Sequence, residues 1–368
     1  MGGSPLRILV VGAGIAGLAV ARALRLAGFR PDVTDKLPPG ESTETGLYLP
    51  GNAARALHRL DLHDPVRPIG QVIRRQRFFD AAGAQLCEVD LDALWTGVGE
   101  CRALPRADLH RVLLSGAGGA VRHGAEVRTL DLLPGAVGVT FTDGTTSEYD
   151  LVIGADGPRS SVRALAALGG PPRPVGQVVY RAVLRDGPPV TEWTALLGQR
   201  SGFLMVPIGA GRLHLYADEA GTEEPADPLA RLRDLFADYR GPVPEVLAAL
   251  DEVHVGITDE VELGRWYRGR VLLVGDAAHA TAPTLSQGAA MALEDAVVLA
   301  ESLRAANSVE AALVAYESRR RPRTRWVRDR TRDRNRTRDV PPALRDPLLR
   351  GRGDRIFGEH YRLLLGPL

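Results

Sequence analysis

Residues 6–17 read Leu6-Arg7-Ile8-Leu9-Val10-Val11-Gly12-Ala13-Gly14-Ile15-Ala16-Gly17, a short apolar run that breaks into a glycine-rich turn. The run has the make-up of a buried strand, and residues 15–27, IAGLAVARALRLA, follow with helical spacing and stop at Gly28. Residues 31–35, PDVTD, supply a second strand, so the chain opens with a β-α-β unit. In such a unit the first glycine, Gly12, permits the turn, Gly14 lets a pyrophosphate approach the backbone, and Gly17 allows close helix–strand packing. The N–H groups of Ile15 and Ala16, at the positive end of the helix, complete an anion site. Asp35, with Lys36 beside it, stands 18 residues past Gly17, where a carboxylate accepts hydrogen bonds from a ribose hydroxyl. These residues predict dinucleotide binding.

Composition narrows the class. The 368 residues are 45% hydrophobic and 25% charged, which excludes collagen-like and disordered chains and leaves room for two domains. With 46 Lys+Arg against 45 Asp+Glu the net charge is +1, so no overall field favours nucleic acid or an anionic membrane. Eleven arginines crowd residues 319–338, yet Asp329 and Asp333 lie at helical spacing among them and Trp326 is the only aromatic. That pattern predicts a solvated helix crossing between domains, not a nucleic-acid surface. Cys87 and Cys101 are too few for a disulfide framework or a four-thiolate zinc site and fit a reducing cytoplasm. His110, His123 and His254 show no metal spacing. No apolar run of about 18 residues is present, and a soluble, cytoplasmic protein is expected, as a monomer or homodimer.

Residues 36–51 read as a long loop and 52–60, NAARALHRL, as a helix beginning at Asn52. Residues 74–89 alternate around Ala-Ala-Gly, a hairpin signal. Residues 105–115 look helical, 137–142 and 145–153 look like strands, and GADGPRSSVR at 154–163 turns into a helix. Between about 175 and 265 alternating strands with a helix near 228–240 suggest a separate antiparallel sheet, before VLLVG at 271–275 and the Ala-rich stretch 288–305 restore α/β patterning. The expected fold is α/β: a doubly wound, Rossmann-like domain of residues 1–73, 100–174 and 266–338. It is interrupted by a smaller, mainly antiparallel substrate domain of 74–99 and 175–265 and followed by a C-terminal helical segment, 339–368.

A second stretch identifies the nucleotide. Gly269-Arg270-Val271-Leu272-Leu273-Val274-Gly275-Asp276-Ala277-Ala278-His279 is a strand running into a sharp turn with an acid at its tip, followed by Pro283 and Ser286-Gln287-Gly288-Ala289. Here, and in Gly154-Ala155-Asp156-Gly157-Pro158-Arg159-Ser160-Ser161-Val162-Arg163, the sequence resembles the single-component FAD-dependent aromatic hydroxylases of the para-hydroxybenzoate hydroxylase type. Arg106 in LPRADLHRVL and Asn52 in GLYLPGNAARAL extend the resemblance to about residues 6–335. It implies that Gly275 and Asp276 hold the ribityl chain and pyrophosphate of FAD, that Asp156 supports the pyrophosphate region, and that Arg106 contacts the flavin. Asn52, Gln287, Gly288 and Ala289 complete the implied cofactor site. A short acid on a tight turn suits this role, because its charge-assisted bonds to vicinal hydroxyls are strong. The sequence departs from the family at Ser286, often Gly, at Ala290, often Asn, and at Gly51, often Pro.

The resemblance further implies that NADH or NADPH reduces FAD transiently, as the single glycine-rich unit at 12–17 fits. O2 then hydroxylates or epoxidises a small aromatic or polycyclic substrate through a flavin C4a-hydroperoxide. Pro283 would line the oxygen side, and a helix starting at Gly288 would stabilise the anionic reduced flavin. Tyr48, Arg181, Phe203, Met205 and Tyr216, with Pro283, are the candidate substrate contacts; Tyr180 lies in the same segments. No acid–base residue or His–Asp pair stands out, His279 matching a common family position near the cofactor. The turns at 40–51 and 283–288 are expected to be mobile. A flavin oxidase, dehydrogenase or reductase on the same scaffold is the alternative; a halogenase is disfavoured because no Trp-x-Trp-x-Ile-Pro segment is present.

Overall fold

The structure is a computed structural model that describes residues 6–40, 44–185 and 187–368. Its central sheet has six strands in the order Tyr267–Arg268, Val271–Leu273, Leu151–Gly154, Ile8–Val11, Asp32–Asp35 and Val121–His123. All pairs are parallel except the 267–268 edge. Ile8–Val11 lies inside this sheet with all four residues buried, which is why it reads as an unbroken apolar run. Helix Ile15–Leu26 packs on helix Gly288–Ala305, so the two ends of the chain close over one core.

The second sheet has seven strands: His254–Glu260, Arg173–Arg185, Arg212–Ala220, Ser201–Pro207, Trp193–Leu197, Arg75–Asp80 and Gln85–Asp90. It is antiparallel except where Trp193–Leu197 runs parallel to Arg75–Asp80, the contact that joins the early hairpin to the later strands. One face packs on helices Pro228–Leu235 and Val243–Ala248, two short helices where one was expected.

Three expectations change. The strand expected at 145–153 divides: Thr146–Tyr149 belongs to a three-stranded antiparallel sheet, and Leu151–Gly154 enters the central sheet. The switch falls on Asp150, whose carboxylate accepts the Arg7 N–H at 2.8 Å. The loop expected at 36–51 contains strand Gly46–Leu49, paired with Arg102–Pro105; residues 41–43 of the turn expected to move lie outside the described residues. The helix expected to begin at Asn52 spans Gly51–Arg59 with Pro50 at its N-cap, which leaves the buried Asn52 side chain free for other bonds.

The arginine stretch is the largest correction. It is the second half of helix Val309–Arg336, and instead of a wholly solvated surface it drives charge into the core. Arg320, with no exposed surface, donates to Asp295 Oδ1 at 2.7 Å and Glu294 Oε2 at 2.6 Å. Arg323 grips both oxygens of Glu294 at 2.8 and 2.9 Å and donates to the carbonyls of Leu363, Leu364, Gly366 and Pro367. Two carboxylates and two guanidiniums therefore neutralise one another between helices 288–305 and 309–336. Burial lifts the Asp295 carboxyl, but His279 and Arg320 outweigh it and hold it down to about 2, so it stays ionised. No helix among the described residues is long and apolar enough to cross a membrane.

Removing one member of a buried ion cluster leaves the others uncompensated, at about 3–5 kcal/mol. Arg320→Met is therefore expected to lose that much stability in urea unfolding; a loss below about 1 kcal/mol would contradict the role given to this network.

Candidate active site

A cavity of about 1340 Å³ opens at the carboxyl ends of the parallel strands, where the chain leaves Val11, Asp35, Gly154 and Leu273, and reaches across to the second sheet. This is where open α/β sheets place ligands. The three glycines of the first turn have separable roles. Gly12 has φ +107°, and a Cβ there would lie 2.5 Å from the Ala155 carbonyl oxygen. At Gly17 a Cβ would fall 1.8 Å from the Gly12 oxygen. At Gly14 it would meet nothing within 4 Å. Gly14, Ile15 and Ala16 border the cavity, so the open side of Gly14 is the cradle a pyrophosphate needs. The Asp35 carboxylate accepts the Ala13 N–H at 2.6 Å and the Leu37 N–H at 2.8 Å, pinning the turn to the second strand while each oxygen keeps a lone pair. Lys36 is exposed and does not border the cavity, a correction to the expected site.

The second anchor is built from the other end of the chain. Gly275 has φ +57° and ψ −143°, a conformation reserved for glycine, and its N–H donates to Asp295 Oδ2 at 2.8 Å. It does not itself border the cavity; it aims Asp276 into it. Enclosure by protein raises the Asp276 carboxyl, while His279 and Arg106 pull it back down. Asp276 Oδ1 would be 3.8 Å from a Cβ on Gly288, the first residue of helix Gly288–Ala305, so acid, helix N-terminus and Ala289 share one wall. Arg106 stands at the start of helix Arg106–Gly116, also on the cavity. Burial pushes its guanidinium down, Asp276 pushes it up and Arg181 down, so Arg106 is the cation set against Asp276. Pro283 opens the 3-10 turn Pro283–Leu285 on the cavity edge, and Ser286 after it has φ +53°. That value explains the family's frequent glycine here and leaves this chain with strain of about 1 kcal/mol.

Other expected residues act from behind the wall. Asn52 and Gln287, both buried, bond amide to amide at 3.0 and 3.3 Å, and Asn52 also donates to Glu294 at 3.0 Å. They tie helix 51–59 to the head of helix 288–305 and do not border the cavity. Asp156 is likewise occupied: it accepts from Ser160 Oγ at 2.5 Å, Ser161 Oγ at 3.1 Å and the Val162 N–H at 3.1 Å. Its neighbours Ala155, Gly157 and Pro158 form the lining in its place. A His–Asp pair does exist, His279 Nε2 to Asp295 Oδ2 at 2.7 Å, but it lies against Trp266, off the cavity, and serves position.

The substrate side divides by strand parity. Arg181, Tyr216, Leu204 and Ala195 stand in register across four neighbouring strands and all border the cavity, with Trp193, Val206 and His214 on the same face. Phe203 and Met205 fall on the opposite face, inside the cluster over helices 228–235 and 243–248, because side chains alternate along a strand. Phe203 still borders the cavity, yet its ring packs edge-on to Phe236 at 4.9 Å; Met205 does not border it, and Tyr180 turns away to Glu219. Sequence reasoning missed Leu204, Val206, Trp193 and Ala195, although the position of Tyr216 opposite Leu204 would have exposed them. Tyr48, on strand Gly46–Leu49, reaches the cavity from the third sheet. Burial pushes the Tyr48 and Tyr216 phenols well up, so both stay protonated, and the Tyr216 oxygen accepts from Gln177 Nε2 at 3.5 Å. Burial pushes His214 down to about 4 and keeps it neutral.

The family model described as FAD binding domain matches residues 6–331. The FAD-dependent urate hydroxylase of Klebsiella pneumoniae is 32% identical over 99% of this chain and 100% of its own. The 3-amino-4-hydroxybenzoate 2-monooxygenase of Streptomyces cremeus is 36% identical over 89% of this chain and 86% of its own. The crystal structure of Klebsiella pneumoniae HpxO complexed with FAD and uric acid matches with a TM-score of 0.85 at 28% identity, covering 98% of this chain and 95% of that one.

Gly14→Ala should leave the melting temperature of FAD-free protein unchanged and weaken FAD binding at least about tenfold, whereas Gly17→Ala should lower the melting temperature itself. Equal effects in calorimetry and FAD titration would undo the separation of roles. Asp276→Ala removes one or two charge-assisted bonds worth about 1.5–3 kcal/mol each, so it should lose FAD on dilution and gel filtration; full retention would remove Asp276 from the site.

Proposed function

This chain belongs to the FAD-binding-domain family of single-component aromatic hydroxylases and is an FAD-dependent monooxygenase; from that premise we propose that it oxygenates a small aromatic anion held by Arg181. The observation that carries this is a surplus charge. Arg181 borders the cavity with its guanidinium 6.0 Å from the Tyr216 ring centre and pairs with no carboxylate among the described residues, while Arg106 has Asp276 and Arg338 has Asp218. A half-buried cation without a carboxylate partner among the described residues selects a ligand bearing a carboxylate, phenolate or deprotonated heterocycle. The named activities of the relatives, on urate and 3-amino-4-hydroxybenzoate, fit that class.

In this reading Gly14, Ile15 and Ala16 would receive the pyrophosphate, Asp35 a ribose hydroxyl and Asp276 the ribityl hydroxyls. The N-terminus at Gly288 and the Arg106 guanidinium would favour negative charge on the flavin. FAD bound here and reduced by NADH or NADPH would activate O2, one oxygen atom going to the substrate ring and the other leaving as water. Trp193, Ala195, Leu204 and Val206 keep water from the reacting face. His214 Nδ1, 3.2 Å from both the Gly46 nitrogen and the Ala182 oxygen, fixes the strand bearing Tyr48 against the second sheet. No group here has the character of a strong base, so the chain's part is positioning and exclusion. We also read residues 1–73, 100–174 and 266–338 as the FAD-binding domain, 74–99 and 175–265 as the substrate domain, and the free thiols Cys87 and Cys101 as fitting a cytoplasmic location.

With FAD, NAD(P)H and isotopically labelled O2, a panel of hydroxybenzoates, aminohydroxybenzoates and urate should give labelled product; label found only in peroxide or water would favour an oxidase. For the accepted substrate, Arg181→Gln should raise KM at least about tenfold, roughly 1.4 kcal/mol, with kcat changed less; an equal rise for a neutral analogue would refute anion recognition by Arg181.

A further inference from the structure

Helix Val309–Arg336 holds a second cation that the reading above leaves without a task. Arg328, Arg330, Arg332 and Arg336 on its last turns each meet a carboxylate. Arg334 borders the cavity and meets none among the described residues. Its guanidinium lies over aromatic faces, 4.5 Å from the Phe357 ring centre and 5.4 Å from that of Phe78. Phe78 in turn packs against Phe357 at 4.1 Å and Trp193 at 5.1 Å, so these four side chains form one wall. Burial pushes the Arg334 guanidinium down, against smaller upward pulls from the Tyr361 phenol and the Cys87 thiol, and no carboxylate among the described residues neutralises it.

Two further donors at this end lack acceptors. The indole N–H of Trp193 and the hydroxyl of Tyr48 are buried without a partner, on residues 5% and 7% exposed, and both residues border the cavity. An unmet buried donor costs about 1–3 kcal/mol, and these two donors beside the Arg334 guanidinium, which has no carboxylate among the described residues, describe an anion subsite. His360, beside them on the cavity, is pushed down to about 3 by burial and by Arg334 and Arg330, so it adds no competing charge.

The subsite is separate from Arg181. Arg181 and Ala195 are level across the sheet but three strand spacings apart, roughly 14 Å at about 4.8 Å each. Trp193 lies two residues beyond Ala195 on the same face. One aromatic ring does not span that width while both arginines keep their stacking partners. Resting on the aromatic-hydroxylase reading, and lengthening the small anion placed there at Arg181, we propose that the cavity takes an extended aromatic acid, whose reacting ring keeps its phenolic oxygen toward Arg181 and whose distal carboxylate is bound by Arg334, Trp193 and Tyr48. Arg334 is then a specificity residue for length and terminal charge.

The test uses holoenzyme and the absorbance change of bound FAD, which reports binding without turnover, so failure of this inference and failure of the hydroxylase reading are distinguishable. The probes are 4′-hydroxybiphenyl-4-carboxylate and its neutral counterpart, 4-phenylphenol. Wild type should bind the acid at least about tenfold more tightly, about 1.4 kcal/mol. Arg334→Met, which keeps an apolar stem between Phe78 and Phe357, should abolish that preference, and Arg181→Gln should retain it. Unchanged melting of each variant accompanies the reading. Absence of the preference in wild type, or its survival in Arg334→Met, overturns the proposal. Labelled oxygen in the biphenyl product tests the hydroxylase reading on its own.

Discussion

The ionic contact of Arg320 and Arg323 with Glu294 and Asp295 is the constraint on which the rest of the site depends. Bringing four charges into the core costs several kcal/mol per ion, a cost offset only because each oxygen and guanidinium nitrogen finds a geometrically matched partner. The result is a fixed orientation for helix 288–305. Asp295 lies two turns along from Gly288, and its other oxygen holds the Gly275 N–H and His279. One carboxylate therefore sets the helix N-terminus and the turn that presents Asp276. Glu294 extends the same control through Asn52 to helix 51–59, and Arg323 extends it to the carbonyls of Leu363, Leu364, Gly366 and Pro367. Secondary structure on three parts of the chain is registered to a single buried cluster, and the cofactor wall is its outer surface.

The fold was legible because its deciding elements are locally complete. ILVV at 8–11 and VLLVG at 271–275 are buried throughout and announce themselves by unbroken hydrophobicity, and the glycines of the first turn answer to sterics that involve only a few neighbours. The ion network was not legible in the same way. Arginine spacing shows which acids are near on one helix, whereas Glu294 and Asp295 reach Arg320 and Arg323 across a helix–helix contact. Their one local sign was two adjacent acids inside an otherwise Ala-rich apolar helix. Asn52 misled for a related reason: a good capping residue at the head of a helical run reads as a cap, but Pro50, two residues earlier, takes that place and the amide turns inward. The segment holding Phe203 and Met205 does reach the cavity, but parity decides which of its side chains face it, and Leu204 and Val206 hold the cavity face.

Charge is not spread evenly round the cavity, and the asymmetry has a chemical use. Asp35 and Asp276 stand where hydroxyl groups need acceptors, each held by backbone N–H groups or by the turn that carries it. Arg181 and Arg334 stand on the opposite side, with aromatic faces beside them and no carboxylate among the described residues to quench them. On the proposed reading an anionic substrate would be repelled from the two carboxylates and drawn to the far wall, so that fields would orient it before contacts form. Arg106 sits at the boundary, pulled by Asp276 and repelled by Arg181, which makes it the charge that both sides sense. Low dielectric in an enclosed cavity strengthens each of these interactions over its value in water, so the same burial that excludes solvent from the reacting ring also sharpens the choice of substrate.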